Sequence, residues 1–465
     1  MLDFVEKIES INGVVNDFVW GPYMLILLVG TGIYFSFRTN FLQIRKFVFT
    51  MKETLFKIFD KSDTSANEGD ITPFQALSTA LAATVGTGNI AGVATAIATG
   101  GPGAVFWMWI SAFFGMMTKF AEVVLAINYR EKNREGNWVG GPMYYIKNGL
   151  NFKWLAIIFS IFGALAAFGI GNMVQSNSVA AAMKSTFNIN PLITGGVLTL
   201  ATSLVILGGL KRIASVTEKL VPFMAVFYII AAIIVLAVQV SEIPSAMGLI
   251  FTYAFKPSAA IGGFIGTTVM KSMRYGVARG VFSNEAGLGS APIAHAVAQT
   301  DHPVRQGLWG IFEVFADTII ICTLTALTII TTGAWTWVDE AGKQLSGAAL
   351  STAAFNHALP GFGGIIVSIS ILLFAFSTIL SWSYYGEKCV EFLFGSSFNK
   401  FYRIVFIPLI FIGSISSLDL VWDIADTLNG LMAVPNLVAL LGLSGVTIKL
   451  VKEFFSKKFL QENDF

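Results

Sequence analysis

The sequence predicts an all-α integral membrane protein with about eleven transmembrane helices, on three observations. Of 465 residues, 55% are hydrophobic and only 12% are charged, against about 25% charged in an ordinary soluble domain. A mean hydropathy of +0.70 is more than soluble domains can hide, because domains of ordinary size must present a polar surface. Apolar runs also recur along the chain at close to the length, about 20 helical residues, that crosses a bilayer core without leaving backbone groups unpaired in hydrocarbon. Soluble enzymes, disordered scaffolds and nucleic-acid binders are excluded. A balance of 30 basic and 28 acidic residues, net +2, points to no polyanionic partner.

In chain order, Asp3, Glu6, Glu9 and Asp17 outweigh Lys7 ahead of the first span, the wrong charge for a secretory signal, so that span is expected to be retained. The predicted spans are 19–37, 72–98, 103–128, 154–183, 191–208, 213–239, 258–282, 306–332, 361–385, 401–417 and 420–444. Between the first two, Phe41, Ile44, Val48, Met51, Leu55 and Ile58 recur at helical spacing with Arg45, Lys46, Lys52 and Lys57 between them, which predicts an amphipathic helix on the inner leaflet. Residues 61–71 read as a polar linker. Longer connections occur at 140–145 and 339–360.

Basic residues test this count, because a missed span would swap the side of every later loop. With the N-terminus outside, the inner loops collect Arg38, Arg45 and Lys46, then Arg130 to Lys153, Lys211 and Arg212, Lys271, Arg274, Arg279 and Arg305, Lys388 to Arg403, and the C-terminal lysines. Only Lys7, Lys184, Lys256 and Lys343 fall outside. The C-terminus is then cytoplasmic, in a multi-pass protein of the cell membrane.

The second span contains Ala83-Thr84-Val85-Gly86-Thr87-Gly88-Asn89, and each glycine weakens a helix by about 1 kcal/mol relative to alanine. A break here frees N–H groups that suit a carboxylate and carbonyls that suit a cation. The third span opens with Gly100-Gly101-Pro102-Gly103 and an aromatic anchor containing Phe106, Trp107 and Trp109. That segment, with Thr84 to Gly92, Gly140-Gly141-Pro142-Met143-Tyr144-Tyr145, Gly280 to Pro292, Asn429 to Met432 and Pro435-Asn436, resembles the alanine or glycine:cation symporter family across nearly the whole chain.

The resemblance implies a leucine-transporter-type fold, with one extra N-terminal helix and two inverted five-helix repeats. The divisions would be an N-terminal region 1–71, repeats at 72–240 and 258–445, an outer connector at 241–257 and a cytoplasmic tail at 446–465. The seventh span would be interrupted around Gly262-Gly263 and Gly266-Thr267-Thr268, or later at Gly276 to Gly280, the earlier position being favoured. Backbone N–H groups of Thr87, Gly88 and Asn89 would receive an amino acid's carboxylate. Thr84 and Asn89 would serve a first Na⁺, and the carbonyls of Ala82 and Val85 with the hydroxyls of Ser377 and Thr378 a second. Trp382, one turn after Thr378, would limit the substrate's side chain, and Gln175 would bond the substrate; Asn172 and Asn177 are further polar residues in that span.

Ionisable residues within spans are costly and normally partnered. Lys119 and Glu122 are expected to pair with each other, and Glu285 with Arg274 or Arg279 at an inner gate. Glu313, Asp317, Asp423 and Asp426 are candidates for a vestibule or proton route. Cys322 and Cys389 lack metal or redox spacing, as do His295, His302 and His357. No nucleophile–base pair, nucleotide loop or zinc pattern points to an enzyme. The resulting expectation is a secondary transporter that imports alanine, glycine or D-alanine with Na⁺ as coupling ion and no other cofactor. Its partners would be substrate, Na⁺ and lipid, with no obligate protein. A proton-coupled symporter, a channel and a receptor-like scaffold are the alternatives.

Overall fold

The computed structural model describes residues 2–59, 68–257, 267–416 and 419–456. Among them, eight helices are long and apolar enough to cross a membrane: Glu9–Arg38, Gly103–Asn128, Lys153–Phe187, Gly209–Val238, Pro303–Thr331, Gly363–Phe394, Ser396–Ile415 and Val421–Gly442. Pro73–Thr84 and Gly88–Gly100 are long and apolar enough only when taken together, and meet at a bend of 48°. Pro191–Ile206 is a shorter apolar helix, and Val269–Asn284 overlaps the predicted seventh span.

Ahead of the first predicted span, residues 2–19 form a helix of their own, Leu2–Val19, that packs on Asp419–Leu431. Asn16 donates to Thr427 Oγ1 at 3.0 Å and Trp20 Nε1 to the Asp426 carbonyl at 3.2 Å. The predicted amphipathic helix is instead three short pieces, Leu42–Arg45, Phe47–Glu53 and a 3₁₀ turn over Leu55–Phe59. Left-handed Asn40 and Phe41 turn the chain sharply at its start. Ile44, Val48 and Leu55 remain exposed there, as an interfacial segment requires.

Gly103–Asn128 lies at the centre, packed against Val269–Asn284, Pro303–Val314 and the first span. Gly363–Phe394 organises the other half, touching Lys153–Phe168, Val174–Phe187, Gly209–Val238 and Pro73–Thr84. The close approaches use glycine: a side chain at Gly103 would overlap the Tyr253 carbonyl, and one at Gly276 the Ala104 carbonyl. Apolar faces point outward instead on Pro191–Ile206 (Ile193, Val197, Leu200), Gly209–Val238 (Phe223, Ile230, Ile233) and Asn399–Ile415 (Phe401, Ile404). Exposed apolar surface on this scale is what a lipid-facing helix presents.

The helix Val269–Asn284 runs unbroken through Gly276 and Gly280, so the later of the two predicted interruptions is not present. The earlier one, Gly262, Gly263 and Gly266, lies outside the described residues; Thr268 caps the helix by accepting the Lys271 N–H at 3.2 Å. The chain leaves helical geometry at Glu285, whose φ is +56°, and stays irregular through Gly287 at +96° and Gly289 at +83° before Pro292–His295. The helix ends inside the protein, and Arg274 and Arg279 do not share a side with Arg305, with which the charge rule grouped them and which pairs with Glu53. Arg274 pairs with Asp17 at 2.8 Å and Arg279 approaches Asp426 at 3.9 Å, on the side of the N-terminal helix.

The buried ions are also re-paired. Lys119 and Glu122 do not bond each other: Lys119 Nζ meets Glu313 Oε1 at 3.3 Å, and both side chains are wholly buried. Glu313 Oε2 faces His295 Nε2 at 3.1 Å, while Gln306 lies 2.9 Å from His295 Nδ1. Gln306 donating to Nδ1 leaves Nε2–H to donate to Glu313, which fixes one neutral tautomer. Glu122 Oε1 accepts the N–H groups of Gly287 and Gly289 at 3.0 and 3.1 Å and the Asn436 amide at 2.6 Å. Asn436 also donates to the Gly287 carbonyl and accepts from Tyr145. Nor does Glu285 meet an arginine; it accepts from Trp382 Nε1 at 3.0 Å and from Ser290.

Two stability measurements check this account. Glu122→Ala strips two buried N–H groups and Asn436 of their acceptor and is expected to cost about 3–5 kcal/mol, seen as a marked fall in the melting midpoint in detergent, with Glu122→Gln falling less. Gly103→Ala is expected to cost about 1–3 kcal/mol through overpacking, while Gly196→Ala, which meets nothing within 4 Å, leaves the midpoint unchanged or raised.

Candidate functional site

The first half of the broken span starts with a reciprocal cap: Thr72 Oγ1 accepts the Gln75 N–H and Gln75 Oε1 accepts the Thr72 N–H, both at 3.1 Å, with Pro73 in the first turn. It ends where the Val85 N–H bonds the Leu81 carbonyl at 2.8 Å and Val85 turns to ψ 86°. The second half begins as a π-helix, Gly88–Gly92, and continues as Val93–Gly100. The first N–H groups of such a half-helix lack intrahelical acceptors. Here Thr87 and Gly88 line a cavity of about 840 Å³.

The cavity lies between the break, Val174–Phe187, Val269–Asn284 and Gly347–Ala358. Arg279, Asp423 and Asp426 are on its wall. Leu345, Gly347 and Thr352, from the stretch over 339–360 that the sequence places outside, also line it. Ser351 ties that region to the break by donating to the Ile90 carbonyl at 2.9 Å.

Gln175 reaches the break: the Thr87 hydroxyl donates to its Oε1 at 3.2 Å, and its amide donates to the Ile170 carbonyl at 3.0 Å. Asn172 and Asn177 instead hold the neighbouring helix, through the Phe406 carbonyl at 2.7 Å and those of Gly413 and Ser416 at 3.1 and 2.9 Å. Asn89 does not offer its N–H to the cavity, because that group bonds the Gly86 carbonyl at 3.2 Å. Its side chain is committed as well, Oδ1 accepting the Gly86 N–H at 2.9 Å and Nδ2 donating to Asp317 Oδ1 at 2.6 Å.

Asp317 is the centre of a cluster that composition did not assemble. Its Oδ2 accepts from Ser283 at 2.9 Å and Thr318 at 2.7 Å, and Asn284 donates to the Thr318 hydroxyl at 3.1 Å. All four side chains are buried. Asp317 rides on a second π-helix, Phe315–Cys322, and a third, Gly169–Met173, ends two residues before Gln175. Single π turns inside α-helices concentrate at functional sites, and no apolar periodicity announces them. Thr84, expected beside Asn89, turns its hydroxyl back toward the Ala80 and Leu81 carbonyls, 3.4 Å from each.

Gly363–Phe394, over the ninth predicted span, meets the end of the first half-helix at Ala82. Ser377 and Thr378 hydroxyls lie 3.2 and 3.1 Å from the Ala82 carbonyl and 2.8 and 2.9 Å from their own Phe374 carbonyl. A hydroxyl has one proton, so the oxygens crowd a gap in which acceptors exceed donors. A Cβ at Gly86 would stand 2.8 Å from Thr378 Oγ1; only glycine lets the two helices approach this closely. Trp382 does not wall the vestibule: its indole packs against Gly171 and donates to Glu285. Among the described residues no group of three or more His, Cys, Asp or Glu side chains is placed to hold a metal. The oxygens here are mainly neutral, a set that suits a hard monovalent cation.

A model of the sodium:alanine symporter family matches residues 5–464. AgcS of Methanococcus maripaludis, named a sodium/alanine symporter, is 53% identical over 97% of this chain and 98% of its own length. GlnT of Bacillus subtilis, named a probable sodium/glutamine symporter, is 40% identical over 97% of this chain and 91% of its own. Among solved structures, that of MhsT in complex with L-phenylalanine superposes with a TM-score of 0.58 at 14% identity, covering 83% of this chain and 99% of that one. That likeness places the fold with the leucine-transporter type. Matched by the family model from end to end, and more than half identical to a relative over nearly its full length, the chain belongs to the sodium:alanine symporter family.

Proposed function

We propose that this protein imports a small neutral amino acid, alanine or also glycine or D-alanine, by symport with Na⁺ and alternating access in the cell membrane. The observation that carries the reading is the junction of the broken span with the ninth: the Ala82 carbonyl faces two hydroxyls, Ser377 and Thr378, at 3.2 and 3.1 Å. A cation held there, with the Val85 carbonyl, draws the two helices together. The likeness to AgcS supports alanine over the larger substrate named for GlnT. Pro191–Ile206, and Val269–Asn284 together with the irregular chain that continues it to Ala298 beside Ile71, complete eleven crossings in this reading, with inverted repeats over 72–240 and 258–445 and the N-terminus outside.

The substrate's carboxylate binds at the Thr87–Gly88 end of the half-helix, where the dipole is positive, with Gln175 beside it. A first Na⁺ sits by Asn89 using Asp317 and Ser283, since Thr84 faces away. An ionised Asp317 brings a full negative charge to that position, which neutral ligands alone would not. Arg279 and Asp426, 3.9 Å apart on the vestibule wall, close over the occupied site.

A second reading follows from the same aspartate: a proton on Asp317 replaces the first Na⁺. Labelled alanine uptake into proteoliposomes separates the two. An inward Na⁺ gradient is expected to drive accumulation that disappears when choline replaces Na⁺; accumulation driven by a pH gradient in Na⁺-free buffer assigns coupling to the proton. Flux that neither saturates nor depends on a gradient identifies a channel, and binding without flux a scaffold.

Thr378→Ala is expected to raise the Na⁺ concentration for half-maximal uptake roughly tenfold, the scale of one lost oxygen contact to a charged group. The alanine half-saturation at saturating Na⁺ stays within twofold. Equal loss of both affinities, or of neither, removes Thr378 from the ion site.

A further inference from the structure

We propose that a pocket at the end of the first span binds the phosphate of an anionic phospholipid headgroup. The pocket holds about 370 Å³ and lies between the end of Pro22–Arg38, the corner at Thr39 to Leu42, the following short helices and Ser444–Phe454. Arg38, Arg45, Lys46 and Lys452 converge on it from these separate stretches of chain. Among the described residues none of the four pairs with a carboxylate. Arg38 donates to Tyr34 Oη at 2.6 Å, and Lys46 lies 5.1 Å over the Phe455 ring. Four cations with no carboxylate partner among the described residues repel one another, so an anion between them relieves that cost.

The corner's backbone is not the ligand. Thr39, Asn40 and Phe41 give their N–H groups to the carbonyls of Phe35, Phe37 and Ser36, which leaves guanidinium and ammonium groups to hold the anion. The flanking surface selects a lipid over a free ion. Phe37, Ile44 and Val48 are exposed beside the basic residues, 63%, 58% and 70% accessible, and the pocket's own floor includes Ile448 and Val451. A basic pocket bordered by outward apolar side chains at a helix end matches a molecule whose phosphate and acyl chains are joined. Basic residues at such depth gain about 1 kcal/mol each from an anionic lipid surface, a factor of roughly five in affinity per residue.

Native mass spectrometry of the purified full-length chain in detergent tests this, titrating phosphatidylglycerol against phosphatidylcholine. Phosphatidylglycerol adducts are expected to survive detergent stripping and phosphatidylcholine adducts to be lost. Arg45→Gln with Lys452→Gln is expected to weaken phosphatidylglycerol retention roughly 25-fold. Lys52→Gln with Lys449→Gln, an equal loss of exposed charge on neighbouring positions outside the pocket, changes it less than twofold. Both pairs are exposed, and an unchanged melting midpoint and elution volume verify that each folds. Equal weakening by the two pairs reduces the effect to diffuse surface charge and overturns the site. Equal retention of phosphatidylcholine, or displacement of the lipid by inorganic phosphate at matched concentration, overturns the lipid as occupant.

Discussion

One buried carboxylate holds the arrangement together. Glu122, in the central helix, accepts the N–H groups of Gly287 and Gly289 and the amide of Asn436. The chain between Glu285 and Ala291 has no helical ladder of its own, and at membrane depth backbone in that state survives only when protein satisfies it. Glu122 supplies that satisfaction from another helix. Four segments meet there, through Glu122, Gly287 and Gly289, Asn436 and Tyr145. In three of them the contacting residues themselves, Gly287 and Gly289, Asn436 and Tyr145, lie in stretches that carry the family resemblance, so these motifs converge in space around one acceptor.

From that anchor follows the placement of the chemistry. Holding the second irregular segment beside the first brings Ser283 within reach of Asp317 and Asp317 within reach of Asn89. Trp382 extends the same scaffold, linking Glu285 to the helix whose Ser377 and Thr378 face Ala82. Lys119 pairs with one oxygen of Glu313, and His295 in a fixed tautomer holds the other. Polarity in an otherwise apolar interior is therefore concentrated at helix interruptions, where backbone groups have already been released from the ladder.

The apolar spans were legible because hydrocarbon imposes a length and a composition, and the Gly86–Gly88 break because glycine spacing weakens a helix locally. Ser377 and Thr378 were legible only with the family resemblance, since their hydroxyls also bond their own helix. Partners across the fold were not. Lys119 and Glu122 sit one turn apart in sequence, yet each finds a better partner more than a hundred residues away. The charge rule grouped Arg274 and Arg279 with Arg305 because it took 258–282 as one uninterrupted crossing; the helix ends at Asn284 in the interior, and the two do not share a side with Arg305. The π segments that present Asn89 and Asp317 leave no compositional trace.

The helix Leu2–Val19 has a consequence for how the molecule is made. Asn16 and Trp20 reach Thr427 and Asp426 across about four hundred residues of sequence, among the longest loops this chain can close. Contacts of such separation form late, because the entropy of closing the loop precedes their reward. The helix Leu2–Val19 therefore waits for Asp419–Leu431 before it can dock. Until then Arg274, whose partner Asp17 lies on that helix, and Arg279, whose partner Asp426 lies on Asp419–Leu431, lack their carboxylates. A chain truncated before residue 419 would keep most of its helices and still lack the wall that Trp422, Asp423 and Asp426 give the cavity, so that wall is added only after nearly all the other helices are made.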